Sequence, residues 1–116
     1  MIDWARLREL YGDLGGDDFF MVLELFLDEV ESGLYRLSLD DPAALGRQFH
    51  GLKGSGLNLG FRDFAALCEA GERLATAGTA DQATVSAVID LYAASKQQMQ
   101  AAMGQELGLA PLVAVK

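Results

Sequence analysis

The sequence predicts an all-α protein: an antiparallel up-down-up-down four-helix bundle with a short additional helix at its N-terminus. Apolar residues recur at helical spacing through most of the 116 residues, and only two prolines are present. No segment alternates apolar and polar residues as a half-buried strand would. Short segments rich in Gly and Asp separate the periodic runs, and helices joined by short connections pack as antiparallel neighbours.

The short first helix is expected over about residues 3–11. Asp3 is placed to cap it, and Ile2 and Leu7 occupy the two positions of a hydrophobic staple. The glycines within residues 12–16 are expected to end it. This helix would cap one end of the bundle.

The second helix is expected to begin at Asp17 or Asp18 and to run to about residue 37. Its acidic residues, Glu31 among them, fall largely off the apolar stripe and are expected to face solvent. The stripe recurs every three to four residues and consists of Phe19, Leu23, Phe26, Leu27, Val30, Leu34 and Leu37.

The third helix has a strong start, since Asp41 is placed as its N-cap and Pro42 at its first helical position. A turn near residues 58–61 is expected to end it. The face expected to point inward holds Leu45, Phe49, Leu52, Gly56 and Leu59.

Two further helices complete the predicted bundle. The fourth, over about residues 62–77, should stop at Gly78 and bury Phe64, Leu67, Cys68, Gly71, Leu74 and Ala75. The fifth, over about residues 81–103 and capped by Thr79 or Asp81, should bury Val85, Val88, Ile89, Tyr92, Met99 and Met103.

Composition limits the possible partners and location. We expect one domain over residues 1–103 and a C-terminal tail or linker over residues 104–116, where the periodicity fades. The net charge of −8 argues against nucleic acid and anionic membranes as partners, because phosphate groups select basic surfaces. With no secretion signal and no long apolar run, a cytoplasmic location is expected. We expect a monomer, with the single Cys68 as a buried hydrophobe.

The only histidine, His50, lies in a run with five glycines between positions 46 and 60. A lone helical histidine is often a packed residue, but helical phase argues otherwise here. At 100° per residue His50 lies roughly 140° from the centre of the inward stripe, so it should face solvent. Gly46 and Gly54, its neighbours one turn away in each direction, leave the ring approachable.

Several chemistries of His50 can be set aside. One histidine and one cysteine on the apolar stripe do not form a metal-ligand set. Ser55 lies at a different helical phase, and no strand–turn–helix elbow supports a hydrolase. The glycines do not form a phosphate-binding loop. An exposed imidazole with Lys53 one turn on is suited to accepting a phosphoryl group, because the lysine would offset its negative charge.

Glu72 is a candidate to hold the second ring nitrogen of His50. If the chain reverses near Gly60, His50 and Glu72 each lie roughly 15 Å from the turn along adjacent helices, so they would be side by side. The alternative for Glu72 is a surface ion pair with Arg73 or Lys53.

The run from His50 to Ser55 (HGLKGS), followed by Leu59-Gly60, resembles the His-x-Leu-Lys-Gly-Ser/Ala…Leu-Gly motif of histidine phosphotransfer (Hpt) domains. The downstream run from Leu67 to Glu72 also fits, and the resemblance extends over about residues 15–103. It implies that Nε2 of His50 is phosphorylated and that Lys53 faces the phosphoryl group. It further implies that Glu72 orients the ring through Nδ1.

The resemblance also implies the partners: a sensor or hybrid histidine kinase, and response-regulator receiver domains whose aspartate gives or takes the phosphoryl group. Mg²⁺ would be held by the receiver, so no cofactor is expected on this domain, which would be a phosphoryl carrier and not an enzyme. Arg47, Gly54, Leu57 and Arg62 are expected to contact the partner. Because receiver sites are acidic, we expect Arg47, Lys53, Arg62 and Arg73 to form a basic collar around His50.

Two other functions fit a helical bundle of this kind. One is an adaptor that keeps the fold without carrying phosphate, although such adaptors usually lack the histidine that this chain retains. The other is a phosphotransfer fragment of a larger histidine kinase, since 116 residues are too few to include an ATP-binding domain.

Overall fold

The computed structural model describes residues 2–109, and within that range it contains helices and no strand. The predicted fold class is confirmed, with four antiparallel helices and a short one before them. The helices are α1 (Trp4–Leu14), α2 (Gly16–Tyr35), α3 (Pro42–Asn58), α4 (Arg62–Thr76) and α5 (Gln82–Glu106).

Three helices begin at the predicted aspartate caps. The side chain of Asp3 accepts a hydrogen bond from the backbone N–H of Arg6 at 3.2 Å, and Asp41 accepts one from Ala44 at 3.2 Å. Asp81 accepts from the backbone N–H of Thr84 at 3.0 Å, and the Thr84 hydroxyl accepts in return from the Asp81 N–H. Each cap satisfies a donor that the helix itself cannot.

The predicted boundaries of three helices were wrong. Helix α2 begins at Gly16, before the predicted Asp17 or Asp18, and it ends at Tyr35 and not near residue 37. Helix α1 does not stop at Gly12 but continues to Leu14, and the break comes at Gly15, whose φ is +82°. The residues around Gly12 pack against the core, which outweighs the roughly 1 kcal/mol helix cost of one glycine. Helix α5 runs past residue 103 to Glu106, because Leu107 extends its packed face by another turn. Residues 110–116 of the expected tail lie outside the described part of the chain, and the domain boundary stays a prediction.

The core follows the predicted stripes with two exceptions. Leu74 on α4 and Ile89 on α5 are about two-fifths exposed, because each lies one residue beside the centre of its helix's buried face. Their neighbours Ala75 and Val88 are buried, as predicted. The fully buried side chains include Leu7, Phe19, Val30, Leu45, Phe49, Leu59, Phe61, Phe64, Cys68, Val88 and Met99.

Helix α1 closes the end of the bundle where the α3–α4 turn lies, as predicted. The backbone N–H of Asp3 donates to the carbonyl of Gly60 at 2.6 Å. Gly60 has a φ of +75°, and a Cβ there would lie 2.8 Å from the Asp3 carbonyl oxygen, so this position requires glycine. Arg8 of α1 also binds Glu106 at the end of α5, at 3.1 Å. The contact between Asp3 and Gly60 fixes the turn that makes α3 and α4 antiparallel neighbours, and the ion pair of Arg8 holds α1 against the end of α5.

Glu31 does not simply face solvent, which corrects the sequence prediction. Its carboxylate accepts hydrogen bonds from the Tyr92 hydroxyl at 2.6 Å and from Nζ of Lys96 at 2.7 Å, which joins α2 to α5. These bonds, the one from Lys96 first, lower the pKa of Glu31, against the opposing effect of burial. Burial and the nearby carboxylate raise the pKa of Tyr92. Glu31 lies off the apolar stripe of α2, so the sequence alone did not indicate this contact. Only the packing of α5 against α2 shows that Tyr92 reaches Glu31.

Candidate functional site

The candidate site lies on the pair formed by α3 and α4, which two glycines bring close together. A Cβ at Gly56 of α3 would lie 2.7 Å from the Phe64 ring of α4, and a Cβ at Gly71 of α4 would lie 3.0 Å from the Phe49 ring of α3. Both rings are fully buried. Gly56 therefore permits close helix packing, and the proximity places side chains on the outer edges of the two helices within hydrogen-bonding reach.

His50 points away from the core, as its helical phase predicted. Its side chain is 68% exposed, whereas Phe49 and Leu52 on either side of it are buried. Its ring is thus open to a macromolecular partner along most of its surface.

Glu72 lies beside His50, where the spacing from the turn placed it. Nδ1 of His50 and Oε1 of Glu72 are 3.2 Å apart. Glu72 makes this contact and not the alternative surface ion pair with Arg73 or Lys53. When Nδ1 carries the proton and donates it to Glu72, the lone pair of Nε2 is directed away from the carboxylate. The contact therefore selects the tautomer in which Nε2 is the nucleophilic nitrogen.

Lys53 has a counter-ion that sequence reasoning missed. Its Nζ lies 3.7 Å from Oε2 of Glu69, and Arg73 lies 4.0 Å from the same oxygen. Lys53 follows His50 by three residues on α3, and Glu69 precedes Glu72 by three on α4. Because the helices are antiparallel, the Lys53–Glu69 pair lies one helical turn from the His50–Glu72 pair. The same spacing argument that gave Glu72 would have found Glu69.

An open groove of about 840 Å³ lies on the N-terminal side of His50. A Cβ at Gly46, which lines it, would meet Ala75 and Thr76 only at ordinary contact distances of 3.9 Å. Gly46 therefore keeps this groove wide and is not needed for helix packing. The groove is lined by Pro42, Ala43, Gly46, Arg47, His50, Glu72, Ala75 and Thr76.

Three of the expected partner-contact residues lie on the C-terminal side of His50, along α3 and at the start of α4. Gly54 is exposed, and a Cβ there would meet nothing within 4 Å. Leu57 is 48% exposed, and it lines a depression of about 290 Å³ together with Lys53 and Arg62. These residues form an accessible surface that continues along α3.

The cations around His50 differ from the predicted collar. Lys53 and Arg73 share Glu69, so two of the four expected members are partly neutralised. Arg47 is exposed and forms no ion pair within residues 2–109. Arg36 at the end of α2, which the sequence did not single out, lines a depression of about 250 Å³ beside Arg47 and Gly51. Open positive charge therefore lies on both sides of His50: Arg36 and Arg47 are on the α2 side, where Glu29 lines the same depression, and the exposed Arg62 is at the start of α4.

Two further features of residues 2–109 concern ligands and membranes. No group of three His, Cys, Asp or Glu side chains comes together there as a metal site would need. No helix in this range is long and apolar enough to span a bilayer.

Cys68 is buried, and burial raises the pKa of its thiol to about 12, so it stays protonated at neutral pH.

A helical bundle that presents one exposed histidine, with its Nδ1 held by a carboxylate of the next helix, has the architecture of a histidine phosphocarrier. The family model of the Hpt domain matches residues 21–105, and the chain belongs to this family. Hpt domains serve histidine phosphotransfer in two-component phosphorelays, where they interact with kinases and receiver domains and act as carriers. Searches of curated proteins and of solved structures returned no match.

Proposed function

We propose that this protein accepts a phosphoryl group on Nε2 of His50 and exchanges it with the aspartate of response-regulator receiver domains. The observation that supports this most directly is the exposed imidazole whose Nδ1 lies 3.2 Å from Glu72. A packed structural histidine would be buried, whereas this ring is 68% exposed.

The transfer needs no catalytic base on this chain. The Nε2 lone pair attacks phosphorus, the N–P bond forms, and the P–O bond of the receiver's aspartyl phosphate breaks to leave a carboxylate. The ring then carries a positive charge shared with its Nδ1–H, and the Glu72 carboxylate stabilises that charge. The reverse step transfers the group to a receiver aspartate and restores the neutral ring.

The partner supplies what this chain does not. We place Mg²⁺ on the receiver, whose acidic site would hold it, and no cofactor on this domain. Lys53 would face the incoming phosphoryl oxygens from one helical turn away on α3. A sensor or hybrid kinase would supply the phosphoryl group at the start of the relay. We propose that the exchange takes place in the cytoplasm and that the protein acts as a monomer.

We propose that the receiver docks over α3, with Gly54 giving clearance and Leu57 an apolar contact. Arg47 and Arg62, at opposite ends of this surface, would attract the acidic receiver despite the net charge of −8. Arg36, next to Arg47 in space, would extend the same attraction.

The test is to mix the protein with a phosphorylated receiver and to follow the label. Transfer should give label on this chain that is labile in acid and stable in alkali, as expected of phosphohistidine. His50→Gln is the matched control, because the exposed side chain can change without disturbing the core. Label absent from the wild-type protein, or equal on His50→Gln, would rule out phosphotransfer and favour the adaptor function.

A further inference from the structure

We propose that Glu69 sets how strongly the phosphoryl group is held on His50, because it competes with that group for Lys53. This inference rests on the proposed function. It assigns a regulating role to a residue that lies one turn before Glu72 on α4 and does not touch the histidine.

The geometry gives Lys53 two possible anionic partners. In this structure its Nζ lies 3.7 Å from Oε2 of Glu69, which is longer than a good hydrogen bond and leaves the lysine free to change rotamer. His50 is three residues before Lys53 on the same helix, so a phosphoryl group on its ring would lie within reach of the same Nζ. Lys53 therefore has to leave Glu69, at least in part, in order to bind the phosphoryl oxygens.

Arg73 makes this exchange feasible. Its guanidinium lies 4.0 Å from the same oxygen of Glu69, so Glu69 keeps a counter-ion when Lys53 leaves. The side chain of Arg73 is 69% exposed and that of Glu69 51% exposed, which leaves both free to adjust. The three side chains thus form a switch in which the lysine moves and the other two stay paired.

The competition weakens the phosphorylated state relative to the free histidine. A phosphoryl group brings about 1.5 to 2 negative charges to a surface where Glu69 and Glu72 already contribute two carboxylates. The interaction that Lys53 gains with the group is offset by the contact it gives up with Glu69. As a result, the equilibrium should favour release of the phosphoryl group to a receiver more than it would with a neutral residue at position 69.

The experiment measures how label distributes at equilibrium between this protein and one receiver domain with Mg²⁺. Glu69→Gln should raise the fraction on His50, with the equilibrium constant shifting about two- to fivefold, the size expected of one exposed ion pair. The complex is kept dilute so that docking affinity does not affect the distribution. Asp90→Asn, which removes the same charge from an exposed position on α5, should leave the distribution unchanged.

Lys53→Met and the double variant Lys53→Met/Glu69→Gln separate competition from simple charge repulsion. If Glu69 acts through the lysine, Glu69→Gln has little effect once Lys53 is absent. An unchanged distribution in Glu69→Gln, or an equal shift with and without Lys53, would overturn the inference while label on His50 upholds the proposed function. Absence of label on His50 in every variant would overturn both.

Discussion

Nδ1 of His50 and Oε1 of Glu72 lie 3.2 Å apart although 22 residues separate them in sequence. The contact joins α3 to α4 at the bundle surface, and it depends on the tight turn at Gly60 and on the close approach at Gly56. The orientation of the one imidazole in the chain is therefore a property of the helix pair, and changes to α4 should alter chemistry on α3.

The first prediction concerns Glu72. Glu72→Ala should slow phosphorylation of His50 by roughly tenfold, because a charge-assisted hydrogen bond to the ring contributes on the order of 1.5 kcal/mol. Glu72→Gln should retain part of the rate, since an amide oxygen still accepts from Nδ1 but does not stabilise the cationic ring. The initial rate of labelling by excess phosphorylated receiver measures both.

The tautomer of His50 gives an independent check on Glu72. Nitrogen NMR of the ring should show more Nε2–H tautomer in Glu72→Ala than in the wild-type protein. Rates and tautomer populations equal to wild type in both variants would show that Glu72 does not orient the histidine.

The second prediction concerns the clearance at Gly54. Gly54→Gln should leave the fold intact, because its Cβ would meet nothing within 4 Å, yet slow transfer from a receiver by tenfold or more through steric obstruction. Labelling by phosphoramidate, a small donor that needs no docking, should be unchanged. Gly12→Gln on α1, equally free of neighbours, is the matched control. Equal slowing with both donors would place the defect in His50 and not in docking.

The third prediction concerns the open cations. Arg47→Gln combined with Arg62→Gln should lower the rate of transfer at low salt and flatten its dependence on ionic strength, because steering by exposed charges is screened by salt. Arg8→Gln, which removes a cation paired with Glu106, should do neither. Stopped-flow measurements over a salt series would detect the difference. An unchanged salt dependence in the double variant would exclude electrostatic docking at these positions.

Local chemistry made much of this fold predictable. Asp3, Asp41 and Asp81 each cap a helix through their own side chains, so their positions could be read without tertiary information. The predicted end of α1 at Gly12 was wrong, because a helix tolerates a glycine when its neighbours are packed. That packing is a property of the whole fold. The end of α5 was missed for the same reason.

Some contacts of the candidate site could likewise be predicted from the sequence, whereas others depend on the packing of the whole fold. Helical phase gave the direction of His50, and the distance from the turn gave the position of Glu72. Glu69 satisfies the same spacing with respect to Lys53, so this pair was within reach of the same argument, which the sequence analysis applied only to the histidine. The sequence predicts a solvent-facing Glu31, because the contact of Tyr92 across the bundle depends on how α2 and α5 pack.

The fourth prediction separates two glycines of α3 by their surroundings. Gly56→Ala should destabilise the protein by about 1–2 kcal/mol, because a methyl group 2.7 Å from the buried Phe64 ring outweighs the gain in helix propensity. Gly51→Ala should stabilise it by about 0.5–1 kcal/mol, since its Cβ enters open space. Urea unfolding curves of the two variants provide the comparison. Equal stability would mean that Gly56 is not needed for packing.

The last prediction is a pH dependence that comes from Glu31. Hydrogen bonds from Lys96 and Tyr92 hold its pKa below the ordinary value of 4.5. A carboxyl whose folded-state pKa is lowered stabilises the fold fully above its unfolded-state pKa, and this contribution is lost as the pH falls through the folded-state pKa. The wild-type protein should therefore lose more unfolding free energy than Glu31→Gln between about pH 5.5 and pH 3.

Comparison of wild type with Glu31→Gln isolates this group, because other carboxyls such as the Asp81 cap titrate in both proteins. Tyr92→Phe should lose less unfolding free energy on acidification than the wild-type protein does. It deletes one of the two hydrogen bonds that lower the pKa of Glu31. It should also cost roughly 1–2 kcal/mol at neutral pH, as expected for a hydrogen bond to a charged group. Parallel pH profiles for the wild-type protein and Glu31→Gln would mean that the α2–α5 contact does not persist in solution.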